Sequence, residues 1–276
     1  MTPGNVLGRL IGHEASRVVR ELLATMLKRE PTPWQSGSCP VSYGEDMNLT
    51  LERARSPTCP QLSPLAQDVL RVTAITAMVL DHLNKAFFNS DIAVFTLAGR
   101  LAFPLFALLI AHNIQARGVP WQRYMLPLLI AGVAAQLPFM TLFQPLLNVM
   151  FTLLLGVLIA QTSVWLDSKL GKGSGSFAWV LLALPNLLMD YPLFGAWLVP
   201  LAGFLVTHKV WWSWIPFLVT ALFANQFVPQ AFALLLLPVL VHGAALVKGK
   251  RLGVPRWGWY AFYPVHLFVI AVLVKL

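Results

Sequence analysis

The sequence predicts an all-α integral membrane protein: a polytopic bundle of eight or nine transmembrane helices with its N-terminus in the cytoplasm. Three observations carry that prediction. Hydrophobic residues make up 57% of the 276-residue chain and charged ones only 11%, where soluble domains carry about 25% charged residues. From Val69 onward, apolar stretches close to the ~20 residues of a spanning helix alternate with short polar breaks. The basic residues then fall in every second break, the alternation that orients membrane helices.

Residues 1–64 read as a cytoplasmic N-terminal extension and 65–276 as the membrane domain. In the extension, Val6, Leu10, Val18, Leu22 and Leu23 recur at near-helical spacing, with Arg17, Arg20, Lys28 and Arg29 between them. That pattern fits a helix lying on the membrane surface, and equally a loose extension. It leaves no continuous apolar run of the signal-peptide kind. Residues 32–64 are rich in Pro, Ser and Gly and read as a linker; Met47 offers a second start. Cys39 and Cys59 are the only cysteines, too few for a disulfide scaffold. No His/Cys spacing calls for a metal.

Nine apolar segments follow, at 69–88, 92–116, 124–143, 149–166, 177–189, 193–206, 211–224, 231–247 and 257–274. The fifth to seventh are short, so tilted, re-entrant or merged segments, and a total of eight, are alternatives. With nine spans, Arg53, Arg55, Arg71, Arg117, Arg123, Lys169, Lys172, Lys209, Lys248, Lys250, Arg251 and Arg256 all lie on one side. The breaks on the other side, at 89–91, 144–148, 190–192 and 225–227, hold no Lys or Arg. Positive charge stays inside, which puts the N-terminus in the cytoplasm and the C-terminus outside a bacterial inner membrane. The net charge of +9 then faces anionic lipid headgroups; no basic stripe on a soluble domain suggests nucleic acid.

Within this apolar chain a few polar groups stand out. An ionisable side chain at the bilayer centre costs roughly 2.5–3.5 kcal/mol on insertion scales, so it usually faces a protein interior. Asp81, His82 and Lys85 lie on the first segment and Arg100 early in the second. Gln136 is late in the third, Asn148 and Thr152 open the fourth, Asp190 follows the fifth, and His266 is midway along the ninth. Most of these positions map to the outer half of the membrane, where converging helices would make a polar pocket. Plain structural readings stay open for each. Asp81 is spaced to pair with Lys85 or with Arg100, Lys85 to snorkel, Asn148 to cap a helix, and the histidines to pack. Pro104, Pro138, Pro238 and Pro264 interrupt apolar segments; a proline there frees the carbonyl four residues earlier.

Several of these residues sit in runs that resemble the TraX family of conjugative-pilin acetylation proteins. The runs are 77–82 (AMVLDH), 98–107 (AGRLAFPLFA), 136–139 (QLPF), 148–156 (NVMFTLLLG), 190–195 (DYPLFG) and 262–267 (FYPVHL). The resemblance covers about 69–269 in consistent order. Two departures matter. Gln136 stands where the family often has an acidic residue and is therefore no general base; Pro192 replaces a frequent glycine.

The resemblance implies a membrane-embedded acyltransferase that N-acetylates a pilin subunit, a membrane-held peptide. Acetyl-CoA would be the donor and membrane lipids the surroundings, with no cofactor resident in the protein. Catalysis would fall to His82, Asp81, Arg100 and His266. His82 is the candidate base and His266 its rival. Lys85, Gln136, Asn148, Thr152 and Asp190 would line the substrate pocket, and Arg117 and Arg123 would meet the phosphates of CoA. A pilin chaperone or assembly factor without acid–base chemistry is the competing expectation, as is another pilin-maturation reaction.

Overall fold

The structure, a computed structural model, describes residues 62–275 except 145, 183, 193, 209 and 227. The expectations for the N-terminal extension, Cys39, Cys59 and Met47 lie outside those residues.

Among the described residues nine α-helices follow in order: α1 Pro64–Phe87, α2 Ala93–Gln115, α3 Gln122–Leu142, α4 Val149–Leu170, α5 Ser176–Leu181, α6 Leu198–His208, α7 Trp214–Ala224, α8 Leu237–Ala245 and α9 Arg256–Lys275. Their starts are written locally. Ser63 caps α1, its Oγ accepting from the Ala66 amide at 3.0 Å, and Pro64 occupies the first turn, where no N–H is needed. Asn148 caps α4 by accepting from the Met150 amide.

The helices fall in the nine expected places but are not nine regular spans. Four are long and apolar enough to cross a membrane: α2, α3, α4 and α9. They mark the chain as a membrane protein. At 24 residues α1 is also long, but Asp68, Arg71, Asp81 and Lys85 lower its hydropathy. The remaining four segments are shorter: Ser176–Leu188, Gly195–His208, Trp211–Ala224 and Pro229–Ala245. Each combines an α-helix with a tighter 3₁₀ turn, at Leu184–Leu188, Gly195–Trp197, Trp211–Ser213 and Pro229–Leu236. At ~1.5–2.0 Å per residue, Ser176–Leu188 reaches roughly 22 Å, less than the ~30 Å hydrocarbon core. Proline explains part of this. Pro185 and Pro229 lie in 3₁₀ turns, and Pro238 opens α8 rather than kinking a longer helix.

The core forms around α2. It packs against α1, α6 and the Pro229–Leu236 turn, and Phe103, Leu105, Ala107 and Leu108 on it are almost wholly buried. At the edge, α3 lies between α9 and α4. Leu126, Ile130, Val133 and Leu137 stand exposed at helical spacing on α3, and Val265, Phe268, Val269 and Val272 do so on α9. Such apolar stripes suit lipid.

The two ends of the bundle differ in charge. One end gathers the arginines. There Arg117 donates to Gln67 Oε1, Arg256 to the Arg123 carbonyl, and the Leu252 amide to Asp68 Oδ2. At the other end the 144–148 connection pairs with 188–190. The Leu147 amide donates to the Leu188 carbonyl, and the Asp190 amide donates back to the Leu147 carbonyl, both at 2.8 Å. Asn84 fastens the α1–α2 turn there, donating to Ile92 O and Thr96 Oγ1 and accepting from the Ile92 amide.

Candidate functional site

His82 and His266, from opposite ends of the membrane domain, meet in its interior. His82 Nδ1 lies 2.8 Å from His266 Nε2. The ring centroids are 5.1 Å apart and the planes differ by 2°. Parallel rings with facing nitrogens at that separation lie edge to edge, the geometry of an in-plane N–H···N bond and not of a face-to-face stack. Both histidines are more than nine-tenths buried.

The hydrogen bonds assign the protons. His266 Nδ1 is 3.0 Å from the Phe262 carbonyl. A carbonyl only accepts, so Nδ1 carries the hydrogen. In the neutral ring Nε2 of His266 is then an acceptor, and His82 must donate to it from Nδ1. That leaves the lone pair of His82 on Nε2. The chain runs His82 Nδ1–H to His266 Nε2, then His266 Nδ1–H to Phe262 O. A proton taken up at His82 Nε2 is balanced by a neutral acceptor already aligned with the opposite edge of the ring.

Aromatic rings surround the pair. Phe143 lies 5.0 Å from the His82 ring, and the Tyr263 ring lies 6.4 Å from His82 and 5.5 Å from His266. Phe262 lies nearly parallel to His266 at 5.3 Å. Tyr263 is buried, three residues before His266 on the same helical face. That spacing was available in the sequence; Phe143, in the turn after α3, carried no signal.

The charged groups lie beside this pair. Lys85 Nζ contacts Asp81 Oδ2 at 2.7 Å, and the same ammonium lies 5.8 Å from the Phe143 ring. Lys85 is therefore held by Asp81 and is not a free snorkelling chain. Asp81 Oδ1 is buried without a hydrogen-bond partner among the described residues, as is Arg100 Nε. Arg100 does not form the ion pair with Asp81 that the sequence allowed. Its Nη1 reaches Asn225 Oδ1 at 3.4 Å, a long contact. Residues adjacent on a helix diverge by ~100°; it is Gly99, not Arg100, that faces Asp81. A Cβ added at Gly99 would fall within the Asp81 side chain, so glycine lets α1 and α2 approach at this level.

Asp190 joins the group through its loop. Gln144 Nε2 donates to Asp190 Oδ1 at 2.8 Å, and the carboxyl is within electrostatic reach of Lys85, Asp81 and Arg100. Burial, the largest effect, raises the Asp190 carboxyl above its ordinary range, while Lys85 opposes that rise. Tyr191, next to it, stacks on Phe103 at 4.3 Å.

Gln136 and Asn148 act on the backbone. Gln136 donates to the Leu146 carbonyl and accepts from the Asn148 amide and side chain, and Asn148 donates on to the Gly132 carbonyl. They fasten α3 to α4. Thr152 is fully buried, its hydroxyl without a hydrogen-bond partner among the described residues. It packs where Gly195 approaches α4; a Cβ at Gly195 would lie 2.9 Å from Thr152 Cγ2.

A cavity of about 290 Å³ lies on the basic side of the histidines. Arg71, Arg123, Arg251 and Arg256 line one end, and Phe262, Tyr263 and Met150 line the other. Of the two arginines expected to meet phosphates, Arg123 lines this cavity. Arg117 does not line the cavity; it is bonded to Gln67 instead. Arg71, Arg251 and Arg256 carried no site signal in the sequence, where positive-inside topology alone accounts for them.

The family model described as TraX protein matches residues 66–274. The chain belongs to the TraX family. A relative, Protein TraX of Escherichia coli, is 29% identical over 228 residues, which is 76% of this chain and 88% of that protein. No solved structure matches the chain significantly. The TraX match runs from the first turn of α1 to the last of α9, so His82, His266, Asp81, Lys85, Arg100 and Asp190 lie inside it.

Proposed function

We propose that this TraX-family member is an acyltransferase of the bacterial inner membrane that N-acetylates a pilin subunit during conjugative pilus biogenesis, with acetyl-CoA as the donor. The observation that supports this most is the His82–His266 pair. It is a buried base with its tautomer set and its lone pair on Nε2.

Amide formation needs a deprotonated amine, an activated acyl group and a place for the developing negative charge. A free α-amino group has a pKa of ~7.7–8.0, so a single imidazole suffices as base. In the reaction proposed, the amine nitrogen attacks the thioester carbonyl and a C–N bond forms. His82 Nε2 takes the proton the nitrogen sheds. The C–S bond breaks, and the same proton passes from His82 to the departing thiolate. Arg100, with a buried Nε lacking a partner, supplies charge for the oxyanion. Asp81 and Lys85 position the helix turn that carries His82, and Asp190 with Gln144 closes the loop above it.

Mass spectrometry of pilin from cells carrying the wild-type protein or His82→Ala tests the reading. The expected result is acetylated pilin with the wild type and the unmodified mass with His82→Ala, while the protein stays in the membrane at normal level. Unmodified pilin in both, with pili still assembled, overturns it in favour of an assembly factor.

A further inference from the structure

The four arginines at the cavity come from separate parts of the chain: Arg71 from α1, Arg123 from the start of α3, Arg251 from the 246–255 connection and Arg256 from the start of α9. Positive-inside topology explains basic residues in these connections. It does not require that they converge on one opening. Among the described residues one carboxylate stands with them, and it is already committed: Asp68 binds Arg71 through Oδ1 and accepts from the Leu252 amide through Oδ2. Aromatic faces hold two of the guanidinium groups. Arg71 lies 5.7 Å from the Trp259 ring and Arg256 lies 5.2 Å from the Tyr124 ring. Arg123, Arg251 and Arg256 remain exposed to solvent.

Behind this charged opening the walls turn apolar, with Met78, Leu109, Leu128 and Leu153. Arg71 and Met78 are seven residues apart on α1, as Arg256 and Tyr263 are on α9. At ~1.5 Å per residue the cavity therefore runs roughly 10 Å from its arginines to its far end, and His82 sits one turn beyond Met78. Tyr263 is a wall of the cavity and also packs on both histidines.

We infer that this cavity admits an acyl-CoA thioester from the basic face, with Arg71, Arg123, Arg251 and Arg256 holding its phosphates and its arm directed past Met78 and Leu109 toward Tyr263. The acyl group then arrives at the wall it shares with the histidine pair. This rests on the acyltransferase reading for the identity of the acyl group, though not for binding of the carrier. An anionic phospholipid shares the phosphate chemistry. A CoA thioester differs in carrying its reactive atom at the tip of the arm, where the cavity meets the histidines.

The test uses the full chain in nanodiscs of zwitterionic lipid, with CoA binding followed by calorimetry. Saturable CoA binding is expected, weakened about tenfold or more by each of Arg251→Ala and Arg256→Ala. Lys169→Ala, a basic-side charge outside the cavity, is expected to leave it unchanged. Leu109→Trp, which fills the apolar part, is expected to lower CoA affinity far more than affinity for adenosine 3′,5′-bisphosphate. Absence of CoA binding overturns the inference. So does arginine-dependent binding of phosphatidylglycerol that CoA fails to displace. If CoA does not bind while pilin in the same cells is acetylated, the channel is wrong and the acyltransferase reading survives. If CoA binds with the expected dependence while pilin stays unmodified, the channel stands and that reading falls.

Discussion

His82 Nδ1 faces His266 Nε2 at 2.8 Å across 184 positions of chain, and the Phe262 carbonyl decides which of the two rings donates. His266 is in this respect a positioning residue: it acts through His82. On the proposed acyltransferase reading, replacing His82 with alanine removes the base, and acetylation should fall about 10²–10⁴-fold, the range for a lost general base. His266→Phe keeps a ring in place but removes the acceptor. The expected loss is smaller, roughly 10–100-fold, as when the orienting partner of a functional histidine is removed. Nitrogen NMR of labelled histidine separates orientation from packing. The wild type should show His82 protonated on Nδ1, and His266→Phe should show a mixture of tautomers. A single unchanged tautomer in the variant contradicts the relay.

Gly99 and Gly243 make a controlled pair. Both are helical, and only one is crowded. A Cβ at Gly99 meets the Asp81 side chain, whereas one at Gly243 meets nothing within 4 Å. Gly99→Ala should cost about 1–3 kcal/mol through forced separation of α1 and α2, and should displace Asp81 from Lys85. Gly243→Ala should be neutral or stabilising by up to ~1 kcal/mol, the helix-propensity gain over glycine. Thermal unfolding in detergent distinguishes them; equal effects would show that the α1–α2 approach is not tight at Asp81.

The Asp81–Lys85 pair predicts a sign reversal. Lys85→Ala leaves a buried carboxylate whose other oxygen already lacks a partner. Loss of one partner from a fully buried pair costs ~3–5 kcal/mol; since Lys85 is about a third exposed, roughly 1–3 kcal/mol is expected. Asp81→Asn in the Lys85→Ala background should restore much of that stability without restoring activity. If the double variant is no more stable than Lys85→Ala alone, the cost did not come from an unpaired charge.

Much of the fold was legible because spans are written in composition. The second apolar segment was expected at 92–116 and the helix occupies Ala93–Gln115; its flanking polar residues stop it physically. The short half of the bundle was less legible. Hydropathy there is as high as in the long spans, and the switch to 3₁₀ turns around Pro185 and Pro229 follows from backbone constraint and packing. That His82, Asp81, Lys85, Asp190 and His266 come near one another followed from the sequence mapping them to one half of the span pattern. Which group meets which did not. Asp81 takes Lys85, one helical turn away, because that pair needs no tertiary arrangement. Arg100 reaches Asn225 instead. Gln136 and Asn148 were expected in the pocket for their polarity, and both bond to backbone groups around the turn between α3 and α4.

Asn148 therefore predicts a stability effect and little else. It caps α4 and donates to Gly132 O and Gln136 Oε1. Loss of the cap alone is worth ~1 kcal/mol, and the buried Gly132 carbonyl loses a donor besides. Asn148→Ala should lower the unfolding temperature, while acetylation per folded molecule stays near the wild-type rate. A specific loss of rate in well-folded Asn148→Ala protein would return the residue to the pocket.

Asp190 gives a pH dependence whose sign is fixed. Burial holds its carboxyl above the ordinary range, with Lys85, Gln144 and Arg100 opposing and Asp81 adding to the rise. The folded state then binds this proton more tightly than the unfolded chain does. The group's contribution is complete below the ordinary carboxylate range and is lost as pH rises through the raised folded value. Asp190→Asn removes that loss and keeps an oxygen to accept from Gln144 Nε2. Its stability relative to wild type should thus be greater at neutral pH than at acid pH, and the difference should shrink as pH falls through the carboxylate range. Thermal unfolding of both proteins across that range checks it. A difference that grows toward acid pH would mean that Asp190 is stabilised as the carboxylate, with Lys85 or Arg100 outweighing burial.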